Sequence, residues 1–141
     1  MRTVRHVARA IGATGSAVPA YRVDVRVGTH QVTADEPVAA GGGDIGPSPL
    51  GLLLSGLAAC TATTLRMYTA RKGWELTTIE VDVRYYIDDD GRRFIDRKIS
   101  VPAGLTLEQR QRLAEIAERT PVTIAVRDGT PVTTIVLPGD A

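Results

Sequence analysis

An α+β fold organised around one long apolar helix is what this sequence predicts, on three observations. From Leu50 through Leu65 no residue is charged, and the run lies between Ser48-Pro49 and Gly73, a start and a stop signal for a helix. Residues 21–33 and 78–88 alternate apolar and polar side chains with period two, as half-buried strands do. Thr106 and Gln109 form a capping-box pair ahead of an amphipathic stretch, which marks a second, shorter helix. Strands and helices segregated in this way argue for α+β.

The first helix, from Pro49 to just before Gly73, would run roughly 36 Å at about 1.5 Å per residue. A membrane span needs about 20 apolar residues. The uncharged run here is shorter and is diluted by Ser55, Gly56, Thr61, Thr63 and Thr64, so no membrane is expected. A helix apolar nearly all round is then a central one, covered by other elements or by a second subunit. Cys60, the only cysteine, falls near its middle.

The 141 residues suffice for one domain, 1–141, with a sizeable core. A net charge of +1 and an aromatic content of 4% give no reason to expect nucleic acid as a partner. One cysteine cannot form an internal disulfide, which fits a reducing, cytoplasmic setting. The N-terminus has no apolar core of a secretory signal. Arg2, Arg5 and Arg9 precede the first acidic residue, Asp24; an ordinary first strand accounts for them better than an amphipathic targeting segment.

In chain order, residues 3–11 read as an exposed strand and residues 12–19 as a loop. Tyr21, Val23, Val25 and Val27 then share one face of a strand. Gly28-Thr29-His30 turns or kinks it, residues 31–34 form a second short strand, and Asp35-Glu36-Pro37 ends that. Gly41-Gly42-Gly43 bends the chain before the long helix. After that helix, Ile79, Val81, Val83 and Tyr85 face one way, Asp89-Asp90-Gly91 signals a hairpin turn, and residues 93–101 return. The second helix carries Leu113, Ile116 and Ala117 on its apolar stripe, with Leu105 just ahead, and ends before Pro121. Residues 122–126, the turn Asp128-Gly129 and residues 132–137 read as a last hairpin.

The chemistry available is thin outside Cys60. The thiolate is the nucleophile, and a free cysteine titrates near 8.5. Helix-dipole assistance fades beyond the first turn, so a reactive Cys60 needs a cation from another element; without one it is inert filler, as buried cysteines commonly are. His6 and His30 with one cysteine lack zinc-ligand spacing, so no metal is expected, nor any cofactor. Ser48 and Ser55 lack the context of a nucleophile elbow. The three glycines match no phosphate-binding fingerprint, and Asp88-Asp89-Asp90-Gly91 lacks the spacing of a calcium loop. Arg71-Lys72 suits the negative end of the long helix.

Ala34-Asp35-Glu36-Pro37, Gly42-Gly43, Gly46-Pro47-Ser48-Pro49, Leu57-Ala58-Ala59-Cys60-Thr61, Thr64-Leu65-Arg66-Met67-Tyr68 and Arg71-Lys72-Gly73-Trp74 together resemble the OsmC/Ohr family, in its short OsmC-like branch. The resemblance implies an intertwined homodimer with the two long helices central and the active sites at the subunit interface. It implies a peroxidatic role for Cys60, which attacks an organic hydroperoxide and becomes a sulfenic acid, in oxidative-stress defence. In the family an arginine paired with a glutamate activates that thiol, and a second cysteine resolves it. The candidate cations are Arg5, Arg9, Arg22 and Arg26. The acidic partner's position holds Gly51, and the resolving position holds Thr120; close packing at Gly51 and Gly56 would be one reason for glycine there.

Three readings follow from this. The first is a one-cysteine peroxidase whose sulfenic acid is resolved by an external thiol. The second is a non-enzymatic relative that binds a small apolar or electrophilic ligand at the dimer interface. The third leaves Cys60 a structural residue in a dimer with another activity.

Overall fold

The computed structural model describes residues 3, 6–12 and 21–139. It forms two compact units, residues 1–55 and residues 56–141, and the long helix runs from one into the other. The loop expected at residues 12–19 lies, beyond Gly12, outside the described residues, as does Arg5.

The first unit holds β1 (Ala8–Gly12), β2 (Val23–Val27) and β3 (His30–Ala34) in one antiparallel sheet of order β1-β2-β3. The first strand is shorter than its sequence suggested, and begins only at Ala8. Val27 pairs with His30, so Gly28-Thr29 is a two-residue hairpin turn and His30 belongs to the returning strand. A short 3₁₀ turn, Val38–Ala40, follows.

The loop from Asp35 to Ser48 is a built structure. The Asp35 carboxylate, 1% exposed, accepts backbone N–H groups from Glu36 (2.7 Å), Gly43 (3.0 Å) and Ile45 (3.3 Å). The Asp35 N–H donates to the Pro47 carbonyl at 3.1 Å, and the Asp44 N–H to the Glu36 carbonyl at 3.0 Å. The chain passes so close to itself that a Cβ at Gly42 would strike the Glu36 carbonyl. The three glycines therefore do more than bend the chain. Burial pulls the Asp35 carboxyl upward, but the three backbone donors and the nearby Arg22 charge outweigh it and hold it below the usual value.

Helix α1 (Pro49–Lys72) has the expected ends. The Gly51 N–H donates to Ser48 Oγ at 3.0 Å, an N-cap with proline at the first helical position. At the other end Gly73 N–H donates to the Ala70 carbonyl (3.2 Å) and Trp74 N–H to the Thr69 carbonyl (2.9 Å). That pair of bonds is a Schellman motif, and it needs the left-handed φ of +70° at Gly73. By length and composition α1 could cross a membrane, yet Leu57, Thr61, Leu65, Tyr68 and Thr69 are buried within this chain. They form one stripe, not a full cover. Leu53 and Met67 remain 46% and 67% exposed.

The second unit continues with β4 (Glu80–Ile87) and β5 (Arg93–Ser100), an antiparallel pair joined through Asp88. Its carboxylate accepts the N–H groups of Asp90 (2.9 Å) and Arg92 (2.8 Å). Helix α2 (Leu107–Ala117) opens on the full Thr106/Gln109 capping box. Leu65, Tyr68, Leu105 and Leu113 make the buried core, with Trp74, Leu76, Ile79, Ile99, Val101 and Ile116 packed against it. Each of the leucines contributes roughly 1.5–3 kcal/mol by leaving water.

The expected last hairpin is absent among the described residues. Its first strand is instead helix α3 (Pro121–Arg127), capped by Thr120, whose hydroxyl accepts the Thr123 N–H. Asp128-Gly129 ends this helix rather than turning a hairpin: Asp128 N–H donates to the Ile124 carbonyl, and Gly129 takes φ +80°. Residues 130–139 carry no strand. The β-branched Val122, Ile124 and Val126 suggested a strand, but a threonine cap with proline at the first position is a helix start, and it prevails here.

Candidate functional site

Cys60 projects from the middle of α1, half-buried and unpaired. Its sulfur lies 4.0 Å from Thr64 Oγ1, one turn along, at the limit of a weak sulfur hydrogen bond. The next residue, Thr61, is fully buried. Its hydroxyl donates to the Leu57 carbonyl at 2.7 Å and accepts from Arg97 Nη1 at 3.0 Å.

Arg97 is the side chain that sequence reasoning missed. It reaches inward from β5 with only 12% of its side chain exposed. Nη1 donates to Thr61 Oγ1 and to Thr123 Oγ1 (2.7 Å), and Nη2 to the Ala117 carbonyl (3.0 Å). Nη2 also sits 3.9 Å from the Glu118 carboxylate, which Arg127 holds at 3.0 Å. One guanidinium thereby ties α1, the end of α2 and α3 together. A signal was available. Arg97 falls in phase with Ile95 and Ile99 on the inward face of β5, and a cation in that phase needs partners.

Thr120 is fully exhausted by local structure. Its hydroxyl is 2.6 Å from Thr123 Oγ1 and caps α3, and the side chain is wholly buried. Gly51 occupies the first turn of α1, its N–H bound to Ser48 and its missing Cβ 3.1 Å from Ser48 Oγ. Close packing at Gly56 is not seen among the described residues: a Cβ there would meet none of them within 4 Å.

The other candidate cations belong to the first unit. Arg22 lies just before β2 and pairs with Asp24 at 3.5 Å. Arg9 on β1 and Arg26 on β2 are opposite each other in register, and both are exposed. His6 and His30 are exposed, and no metal-ligating cluster occurs among the described residues.

Fold and site together define a mixed α/β protein with antiparallel sheets, three α-helices among the described residues and a single thiol on the longest of them. The chain belongs to the OsmC-like protein family, whose model matches residues 41–135, and its architecture is the OsmC-like fold. Among solved structures it is similar to an OsmC-like protein from Mycoplasma pneumoniae (TM-score 0.71, 18% identity, 89% of each chain covered). It is likewise similar to the organic hydroperoxide resistance protein OhrB of Bacillus subtilis (TM-score 0.59, 25% identity, covering 88% of this chain and 91% of that one). A third is the organic hydroperoxide resistance protein OsmC of Legionella pneumophila (TM-score 0.63, 19% identity, 90% and 92% covered). No curated protein matches the sequence.

Proposed function

We propose that this chain is a one-cysteine thiol peroxidase for organic hydroperoxides, acting in peroxide defence as a homodimer. The observation that carries the reading is Cys60 itself, a free and half-buried thiol on the long helix of a family that includes hydroperoxide resistance proteins. The Cys60 thiolate attacks the distal peroxide oxygen: an S–O bond forms, the O–O bond breaks, and the alkoxide leaves and takes a proton as alcohol. The resulting sulfenic acid has no second cysteine in the chain to meet it. An external thiol attacks its sulfur and releases water, and a second external thiol frees Cys60 as the mixed disulfide breaks. Thr120, at the family's resolving position, caps a helix instead, in keeping with external resolution. The activating cation is one of Arg5, Arg9, Arg22 and Arg26. The homodimer covers the α1 surface that one chain leaves exposed at Leu53 and Met67.

Consumption of tert-butyl hydroperoxide with dithiothreitol tests this directly. The wild-type chain consumes it catalytically, and Cys60→Ser abolishes turnover. Equal turnover by the variant refutes the mechanism. A second reading has Gly51 in its favour, because the position carries no acid to pair with an arginine: a ligand-binding relative without peroxidase activity. Absence of turnover in the wild type, with ligand-dependent stabilisation in a thermal shift, selects it.

A further inference from the structure

The second unit holds a concavity that none of the foregoing uses. It lies where the C-terminal end of α1 meets the first turns of α2, with a volume of about 520 Å³, inside the range of small-molecule sites. Cys60 is eight residues before Tyr68, the first α1 residue in the lining, about 12 Å along the helix axis, so the concavity is a separate place.

Its apolar wall is an aromatic pair. Trp74 meets Tyr68 edge to face, ring centroids 5.5 Å apart at 76°, with Tyr68 buried and Trp74 half-buried. Around the Tyr68 ring stand Arg71 (5.9 Å), Lys72 (5.7 Å) and Arg112 (5.8 Å). Arg112 is fixed in place: Nε donates to the Tyr68 hydroxyl at 3.1 Å and Nη1 to Glu115 at 2.7 Å. Glu115 compensates its charge. Lys72, which also lines the concavity, makes no ion pair among the described residues; Glu108, the other lining charge without an ion pair, sits in the first turn of α2, where the positive end of the helix dipole answers it. Placement of Arg71 and Lys72 against the helix dipole accounts for two cations at the end of α1. It does not account for a third brought from α2 to the same ring, nor for the open space between them.

We propose that this concavity binds a small planar aromatic carboxylate. The aromatic body lies against Trp74 and the Tyr68 edge, and the carboxylate meets the Lys72 ammonium, with Gln109 at the rim as an amide donor. Neither the aromatic wall nor the lysine suffices alone: an uncharged aromatic leaves Lys72 unanswered, and a bare anion gains nothing from the rings.

Trp74 is the only tryptophan, so its fluorescence reads this place and no other. Benzoate is the probe, with excitation at the red edge of tryptophan absorption, where benzoate is dark. The expected result is a saturable change with Kd on the order of 1 mM. Benzamide, the uncharged analogue, and acetate, the anion without the ring, bind at least several-fold more weakly. Lys72→Met weakens benzoate about fivefold, the upper end for an exposed ion pair, whereas Lys98→Met on β5 leaves it unchanged. Alkylating Cys60 with iodoacetamide also leaves the titration unchanged, whether or not that thiol is catalytic. No saturable change, equal binding of benzamide, or loss of the signal on alkylation overturns the proposal. The comparison of probes on the wild-type protein needs no variant to fold.

Discussion

The two units of this chain each contain a buried polar knot, and the two are tied in opposite ways. In the first unit Asp35 is satisfied by backbone N–H groups one to ten residues away, all from the loop it organises. In the second, Arg97 finds its partners 20 to 36 residues away, on three different helices. The local knot fixes the path of one segment. The distant knot fixes the arrangement of whole elements, so its removal should be felt across its unit.

The largest expected effect is therefore at Arg97. Arg97→Ala removes one donor each from Thr61 Oγ1, Thr123 Oγ1 and the Ala117 carbonyl at once, and should cost about 3 kcal/mol in urea unfolding. A change under about 1 kcal/mol would mean that the guanidinium is dispensable, and the contrast would collapse.

Asp35→Asn should follow, with its damage local. Faster amide exchange at Gly43 and Ile45, with β4 and β5 unaffected, is the expected pattern. The variant also sharpens the pH dependence. The folded-state pKa of Asp35 lies below its unfolded value, so its stabilisation is present above about pH 3.9 and is lost as pH falls through the folded value. Wild-type stability should drop over that acid range, and Asp35→Asn should drop less. Identical acid profiles would remove Asp35 from the account.

Thr120→Ala should be the mildest of the three. It loses the cap of α3 and the hydroxyl contact to Thr123, worth about 1 kcal/mol. The variant should leave turnover at Cys60 untouched if resolution is external, and a loss of turnover that exceeds the loss of stability would give Thr120 a chemical role.

The same contrast separates what could be read from the chain from what could not. Ser48-Pro49 and Gly73 mark the ends of α1, and Thr106/Gln109 the start of α2, because caps and stops act within a turn of where they sit. Residues 93–101 were legible as a returning strand because the Asp89-Asp90-Gly91 turn is local too. Helix α3 starts on Thr120-Pro121, the same cap-plus-proline pattern as Ser48-Pro49, and this local signal outweighs the β-branched residues that follow it. The Arg97 cluster depends on contacts spanning dozens of residues, and no window of sequence displays them. The site was legible only as Cys60. The one side-chain contact of its sulfur among the described residues, Thr64 Oγ1, comes from the fold.

The glycine-rich stretch ahead of α1 has the composition of a linker, but its length is not free. Asp35 measures it against three backbone groups, and the Pro47 carbonyl closes it back onto the Asp35 N–H. One residue added between Glu36 and Gly43 would put the Gly43 and Ile45 donors and the Pro47 carbonyl out of step. The tip at Asp89-Asp90-Gly91 is exposed, and Asp88 measures only the four residues up to Arg92, with no closure onto a distant segment. In a lineage of this chain, insertions and deletions should gather at that tip, while the glycine loop keeps its residue count even as its side chains drift.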